Sequence, residues 1–335
     1  METVAATAMA MLARGERQAA LSHVAQGCER SDPEAFALRA LWRVEGKIVV
    51  RDLTGARADL ARAEQGGHMG AARMVAGLMA AGVGGPRDWP GALAVLDRWT
   101  ARDPMAARQA DLIARMAIDA GEEPTLLPEP QTLSTASSVR SFPALLTAEE
   151  CDLLVEMADR RMRPAVIFHE GQNRFIPDPI RDSDAAGFPI LSEWPFVHAI
   201  NRRLARASGT QVEQGEPLQI LRYREGQQYR AHLDALPGLA NQRIFTFLVY
   251  LSDDHAGGET RFPRLGLDVV PRRGDGLLFA NSLPDGRPDP MSQHIGMPVL
   301  SGVKRVASRW IRQRPADGPD GFGQHEMVGR RMTNL

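Results

Sequence analysis

The sequence predicts an α+β protein in two parts: an all-α helical-repeat solenoid, then a jelly roll (double-stranded β-helix) with flanking helices. Three observations carry that expectation. The first third repeats itself at helical spacing, a Pro- and Ser/Thr-bearing stretch follows, and beyond residue 218 short apolar runs alternate with Gly-, Pro- and Asp-containing turns. With 335 residues, 44% hydrophobic and 24% charged, the chain has the composition of two globular domains with cores of their own.

Up to about residue 120 the chain is rich in Ala, Leu, Arg and Met and has a period of 36: Gly46 matches Gly82, Arg51-Asp52 matches Arg87-Asp88, Gly55-Ala56 matches Gly91-Ala92, and Leu60 matches Leu96. A second "AAR" lies 35 residues after the one at 71–73. Such a period, with small residues at fixed places, means stacked helical hairpins, each burying its apolar face on the next. The unit "AARMVAGLMAAGVGGPRDWPGALAVLDRWTARDPMAARQADLI" resembles the SEL-type branch of the tetratricopeptide family, a resemblance that extends over about residues 15–120. It implies a surface for protein or peptide partners. A helical cap that only packs on the second domain is the alternative.

Residues 121–140, "GEEPTLLPEPQTLSTASSVR", read as a linker, 141–315 as the second domain, and 316–335 as a Gly-, Pro- and charge-bearing tail. "TAEECDLLVEMADRRM" places Thr147 and Glu150 in capping-box positions and predicts a helix; "FVHAINRRLARASG" predicts another, ending near Gly209. Eight strands then follow: "LQILRY", "QYRAHLD", "RIFTFLVYLS", "ETRF", "LDVVP", "DGLLFA", "QHIGMPVL" and "KRVASRWI". No helices alternate with them, so a double-sheet jelly roll fits and an open parallel sheet does not.

The formal net charge of −1 gives no global field to attract nucleic acid or an anionic membrane. No run approaches the roughly 20 apolar residues of a membrane span. The apolar opening has Glu2 where a signal peptide carries basic residues. Cys28 and Cys151 are far apart and lack a CxxC partner, so neither a disulfide framework nor a thiolate zinc site is expected, and the location expected is cytoplasmic.

The candidate chemistry lies in "RYREGQQYRAHLDA". His232 and Asp234, two apart on a strand, face one side. His294, at the start of a later strand, offers a third ligand, and two histidines with one carboxylate form the facial set of non-haem Fe(II) oxygenases. Lys304, Val306, Ser308 and Trp310 alternate along the last strand and so share a face. A lysine directed into a barrel is costly unless it meets an anion, which a dicarboxylic cosubstrate would provide.

The run from "EPLQILRY" through "HLD", "RIFTFLVYLSDDHAGGETRFP", "GDGLLFANSLPDGRPDPMSQHIGMPVLSGVK" and "SRWI" resembles the prolyl 4-hydroxylase family of Fe(II)- and 2-oxoglutarate-dependent dioxygenases, over roughly residues 141–315. The resemblance implies a metal bound by His232, Asp234 and His294, and Lys304 on the distal carboxylate of 2-oxoglutarate. It implies that Tyr223, Thr246, Tyr250 and Ser308 line the cosubstrate pocket and that Arg181, Ser183, Tyr229 and Trp310 lie near the substrate. Fe(II), 2-oxoglutarate and O2 are the implied cofactor and cosubstrates, with ascorbate a candidate reductant. The expected reaction is hydroxylation of a peptidyl residue, proline first, with succinate and CO2 as co-products and the helical repeats recruiting the peptide or protein. A free amino acid, another peptide side chain or a small metabolite is the alternative substrate; a non-catalytic binding module is the alternative of another class. The Pro-broken stretch 173–188 reads as a lid. Arg305 departs from the family, where an aromatic often follows the lysine, and strand alternation turns it away from the site.

Overall fold

The computed structural model describes residues 3–118, 126–169, 174–177, 180–236, 238 and 240–315. The expected tail, 316–335, lies outside the described residues, as do positions 121–125 of the expected linker. The chain divides into two compact units, Met1–Arg115 with Ile190–His198, and Met116–Pro189 with Ala199–Leu335.

The first unit contains α1 (Val4–Ala13), α2 (Arg17–Glu29), α3 (Pro33–Glu45), α4 (Leu53–Gln65), α5 (Met69–Ala81), α6 (Trp89–Trp99) and α7 (Pro104–Arg115). The period seen in the sequence is a period of helix ends. α3 and α5 start 36 residues apart, α4 and α6 likewise, and α5 and α7 start 35 apart. Gly46 and Gly82 end α3 and α5 at φ 69°, a left-handed conformation that costs glycine nothing. Asp52 and Asp88 cap α4 and α6, their carboxylates accepting from the Gly55 and Gly91 amides. Buried acids tie the helices, within a hairpin where Asp59 accepts from Arg39 and Arg43, and between hairpins where Asp103 accepts from Arg73 and Glu64 from the Trp99 indole. Replacing Asp88 by Ala is expected to cost about 1 kcal/mol of stability, read as a lower denaturation midpoint, because one amide of the first turn loses its acceptor. Among the described residues no helix is long and apolar enough to cross a membrane.

The second unit contains α8 (Ala148–Asp159) and most of α9 (Pro195–Ser208). Thr147 and Glu150 form the expected capping box, and Arg203 grips the Glu150 carboxylate with both terminal nitrogens. The strands are β1 (Gln131–Ser134), β2 (Val139–Phe142), β3 (Arg163–Pro164), β4 (Val166–His169), β5 (Arg174–Pro177), β6 (Asp184–Gly187), β7 (Gln219–Arg224), β8 (Tyr229–His232), β9 (Arg243–Tyr250), β10 (His255–Gly257), β11 (Thr260–Phe262), β12 (Leu267–Val269), β13 (Gly276–Ala280), β14 (His294–Gly296) and β15 (Val299–Arg312). All eight expected strands are present, as β7, β8, β9 and β11 to β15. The larger sheet runs β1-β2-β13-β9-β15-β7-β6-β3, with β10 added on β15. The smaller runs β12-β11-β14-β8. The second unit is thus a jelly roll with flanking helices, whose core includes Tyr223, Tyr250, Phe262, Phe279 and Val306.

Two expectations are corrected. The linker was expected to reach residue 140, but Gln131–Ser134 and the start of β2 are strands; β2 pairs with β13 and so extends the larger sheet. Val139 and Phe142 are buried there, which gives this polar stretch the apolar anchor its composition conceals. The stretch 173–188 is not a single lid. β5 pairs with β4 as a separate two-stranded hairpin, while Asp184–Gly187 is β6, hydrogen-bonded between β3 and β7 inside the larger sheet. Residues 173, 178 and 179 of that stretch lie outside the described residues.

Candidate metal centre and its cavity

β8 and β14 are neighbours in the smaller sheet, and His232 pairs directly with His294. Four residues of β8, Tyr229 to His232, stand opposite three of β14, Gly296 to His294, which is a β-bulge. The bulge puts both Tyr229 and His232 on the cavity side, although strict alternation would separate residues three apart. Their rings stack, centroids 3.5 Å apart and planes 15° apart. β8 ends at His232, so the convergence of Asp234 comes from the turn after the strand rather than from alternation along it.

Asp234 Oδ1 lies 3.7 Å from His232 Nε2, and Oδ2 lies 3.7 Å from His294 Nε2. One donor atom from each of the three residues falls within 4.8 Å of the others. Each imidazole is oriented from behind: His232 Nδ1 donates to the Arg230 carbonyl at 2.8 Å, and His294 Nδ1 to the Ser292 carbonyl at 3.0 Å. A carbonyl can only accept, so each ring carries a proton on Nδ1, which leaves Nε2 as the nitrogen turned toward the centre. Burial, reinforced by His294, pushes the His232 imidazole well below its usual range. Burial opposes ionisation of Asp234, yet His294, His232 and the Thr246 hydroxyl outweigh it and hold the carboxyl below its usual range. Two imidazoles and an ionised carboxylate, all buried, form a donor set that fits Fe(II).

These residues open onto a cavity of about 420 Å³, mouth included, that Tyr223, Tyr229, Lys304, Ser308 and Trp310 also line. Lys304, Val306, Ser308 and Trp310 all face it, as alternation along β15 requires, and Arg305 does not line it. Lys304 is 4% exposed and donates to the Gly258 carbonyl at 2.6 Å, which accounts for one of its three N–H donors. Burial pushes its pKa down to about 8, against the pull of Glu259. A cation held in this way fits a carboxylate partner.

Four other expected residues, Thr246, Tyr250, Arg181 and Ser183, do not line the cavity themselves. Thr246 was expected beside the distal carboxylate of the cosubstrate; instead its hydroxyl donates to Asp234 Oδ2 at 2.6 Å and accepts from the Asn281 amide at 2.8 Å. Tyr250 donates to the Thr260 hydroxyl at 2.8 Å, and its ring centroid lies 5.7 Å from Lys304 Nζ, as does that of Tyr223. Arg181 lies over the Tyr229 ring at 5.6 Å. Ser183 is buried and does not line the cavity.

Several contributors escaped the sequence reading. Thr260 lines the cavity, and its alternation with Phe262 on β11 was the signal available. Glu216 accepts from both Arg243 and Arg312, and the Arg243 guanidinium lies 4.1 Å from the Trp310 ring centroid. This network of long-range contacts leaves no local motif.

A family model for the 2OG-Fe(II) oxygenase superfamily matches residues 218–312. Probable prolyl 4-hydroxylase 9 of Arabidopsis thaliana is 35% identical over 206 residues, covering 55% of this chain and 72% of that protein. Prolyl 4-hydroxylase 1 of the same plant is 32% identical over 205 residues, covering 56% and 72%. Among solved structures, the viral collagen prolyl hydroxylase of Paramecium Bursaria Chlorella virus-1, in its 2OG complex, is similar at 26% identity over 53% of this chain and 99% of that one, with a TM-score of 0.43. The chain belongs to the prolyl 4-hydroxylase family of 2OG-Fe(II) oxygenases, and its chemistry is that of a dioxygenase using Fe(II), 2-oxoglutarate and O2.

Proposed function

We propose that this dioxygenase hydroxylates a prolyl residue of a peptide or protein, with iron held by His232, Asp234 and His294. The observation that carries this reading is the buried set of two Nε2 atoms and a carboxylate in the same cavity as the buried Lys304. Fe(II) bound there, with 2-oxoglutarate and O2, supplies the oxidising power that hydroxylates a C–H bond and releases succinate and CO2. Lys304 takes the distal carboxylate of the cosubstrate. The carbonyls of Arg230 and Ser292 keep the two imidazoles in their ligating tautomer. Tyr229 and Trp310 give the cavity flat apolar walls suited to a pyrrolidine ring, with Arg181 over the Tyr229 face.

Succinate formation by the purified protein with Fe(II), 2-oxoglutarate and O2 is expected to rise with proline-containing peptides and to vanish in His232→Ala. Turnover stimulated by free amino acids and not by peptides would replace the substrate, and an iron-loaded protein no more active than the variant would remove the catalytic reading.

The α1–α7 unit, read as SEL-type repeats, recruits the target in this proposal, and crosslinking a bound peptide to the full-length protein checks it. Adducts confined to residues 199–315 would sink the recruitment. Ascorbate is the candidate reductant. The proposed location is cytoplasmic, supported by Cys28 and Cys151 being buried free thiols.

A further inference from the structure

His294 is oriented by a carbonyl that belongs to a short, separately anchored turn. Ser292 ends the 3-10 turn Pro290–Ser292, and its amide and hydroxyl both donate to the Asp289 carbonyl, at 3.0 and 2.7 Å. Asp289 is the fixed point of that turn. Its Oδ1 accepts from the Met291 amide at 2.9 Å, and its own amide donates to the Asn281 carbonyl at 2.9 Å. Its Oδ2 accepts the Ser137 hydroxyl at 2.6 Å, in a contact that is buried and spans 152 residues of sequence.

Ser137 lies in the connection between β1 and β2, at φ 51°, and Ser138 follows at φ 45°. Two consecutive serines in the left-handed region are uncommon, because only glycine enters it without steric cost. A strained conformation persists where surrounding contacts hold it, and the Ser137–Asp289 bond is such a contact.

We propose that Asp289, clamped by Ser137, is a positioning residue for the metal centre: it fixes the turn whose Ser292 carbonyl sets the tautomer and rotation of His294. The β1–β2 hairpin thereby becomes part of the metal site's support. This inference rests on the reading of His294 as a metal ligand. Outer partners of metal-bound histidines are worth about 10- to 100-fold in metal affinity, and the effect here falls at the lower end because it passes through Ser292.

The test is Mn(II) affinity of the full-length protein, measured by calorimetry without cosubstrate beside the melting temperature of the metal-free form. Asp289→Ala is expected to weaken Mn(II) binding about tenfold. Asp289→Asn keeps the oxygen that accepts from Met291 and offers an amide to Ser137, so near wild-type affinity is expected. Ser137→Gly removes the hydroxyl while relieving the left-handed strain, so weaker binding with an unchanged or higher melting temperature is expected. Wild-type affinity in both Asp289→Ala and Ser137→Gly would overturn the inference. Weakening that only follows lost stability, without rescue by Asn, would reduce Asp289 to a structural residue. Wild-type protein whose Mn(II) binding does not depend on His294, tested with His294→Ala, would remove the underlying reading and the inference with it.

Discussion

Replacing Lys304 with Met is expected to raise the KM for 2-oxoglutarate at least about a hundredfold while raising the Tm of the cosubstrate-free protein by a few degrees. Both effects come from one buried ammonium. In the free protein it has the Gly258 carbonyl at 2.6 Å and, among the described residues, no carboxylate in contact, and burial has driven its pKa to about 8. Against an unfolded-state value near 10.4, that shift is about 3 kcal/mol of burial penalty carried by the charged form. Methionine removes the charge at similar length, offset by about 1 kcal/mol for the carbonyl left without a donor. With the dicarboxylate bound, the same ammonium becomes half of a buried ion pair, and deleting one partner of such a pair costs about 3–5 kcal/mol.

The pH dependence follows with opposite signs for stability and for binding. Between pH 8 and about 10.4 the unfolded chain holds more protons at this residue than the folded one, so its contribution makes the free protein more stable as pH rises. Over the same window folded Lys304 loses its charge, so 2-oxoglutarate affinity should fall as pH rises above 8. Calorimetric titration with 2-oxoglutarate at pH 7 and pH 9 measures the fall. Affinity independent of pH in wild type and Lys304→Met alike would show that the carboxylate is bound elsewhere.

What the sequence disclosed, and what it hid, follows the range of the interactions. The 36-residue period was legible because Gly46, Gly82, Asp52 and Asp88 act within one turn of their own helix ends. The inward face of β15 was legible because Lys304, Val306, Ser308 and Trp310 keep strict alternation on a regular strand. On β8 the same rule fails. The bulge brings Tyr229 to His232, and Asp234 reaches the centre from beyond the strand end. β1 and β2 were hidden for a related reason: β2 becomes strand through pairing with β13, more than 130 residues away, and β1 through pairing with β2. Thr246 shows the limit of reading by resemblance, which brought it into the site but onto the wrong partner. Only the fold shows that its hydroxyl meets Asp234.

That partner gives Thr246→Val a consequence distinct from that of Asp234→Asn. The Asn variant keeps the shape of the side chain and an acceptor oxygen for Thr246, but it withdraws the negative charge that Asp234 turns toward His232 and His294. Its turnover is expected to fall at least about a thousandfold with the metal-free fold retained, since the donor set then lacks the anionic ligand that Fe(II) oxygenases require. Valine at 246 matches threonine in shape but donates nothing, so Asp234 loses its 2.6 Å hydrogen bond and the buried Asn281 amide loses its acceptor. An unsatisfied buried donor costs about 1–3 kcal/mol, and a metal-bound carboxylate without its outer partner binds metal about 10- to 100-fold more weakly. Thr246→Val should therefore weaken Mn(II) binding and lower stability together, leaving the KM for 2-oxoglutarate near wild type once metal is saturating. The reverse outcome, unchanged metal affinity with a raised KM, would return the Thr246 hydroxyl to the cosubstrate and contradict the arrangement around Asp234.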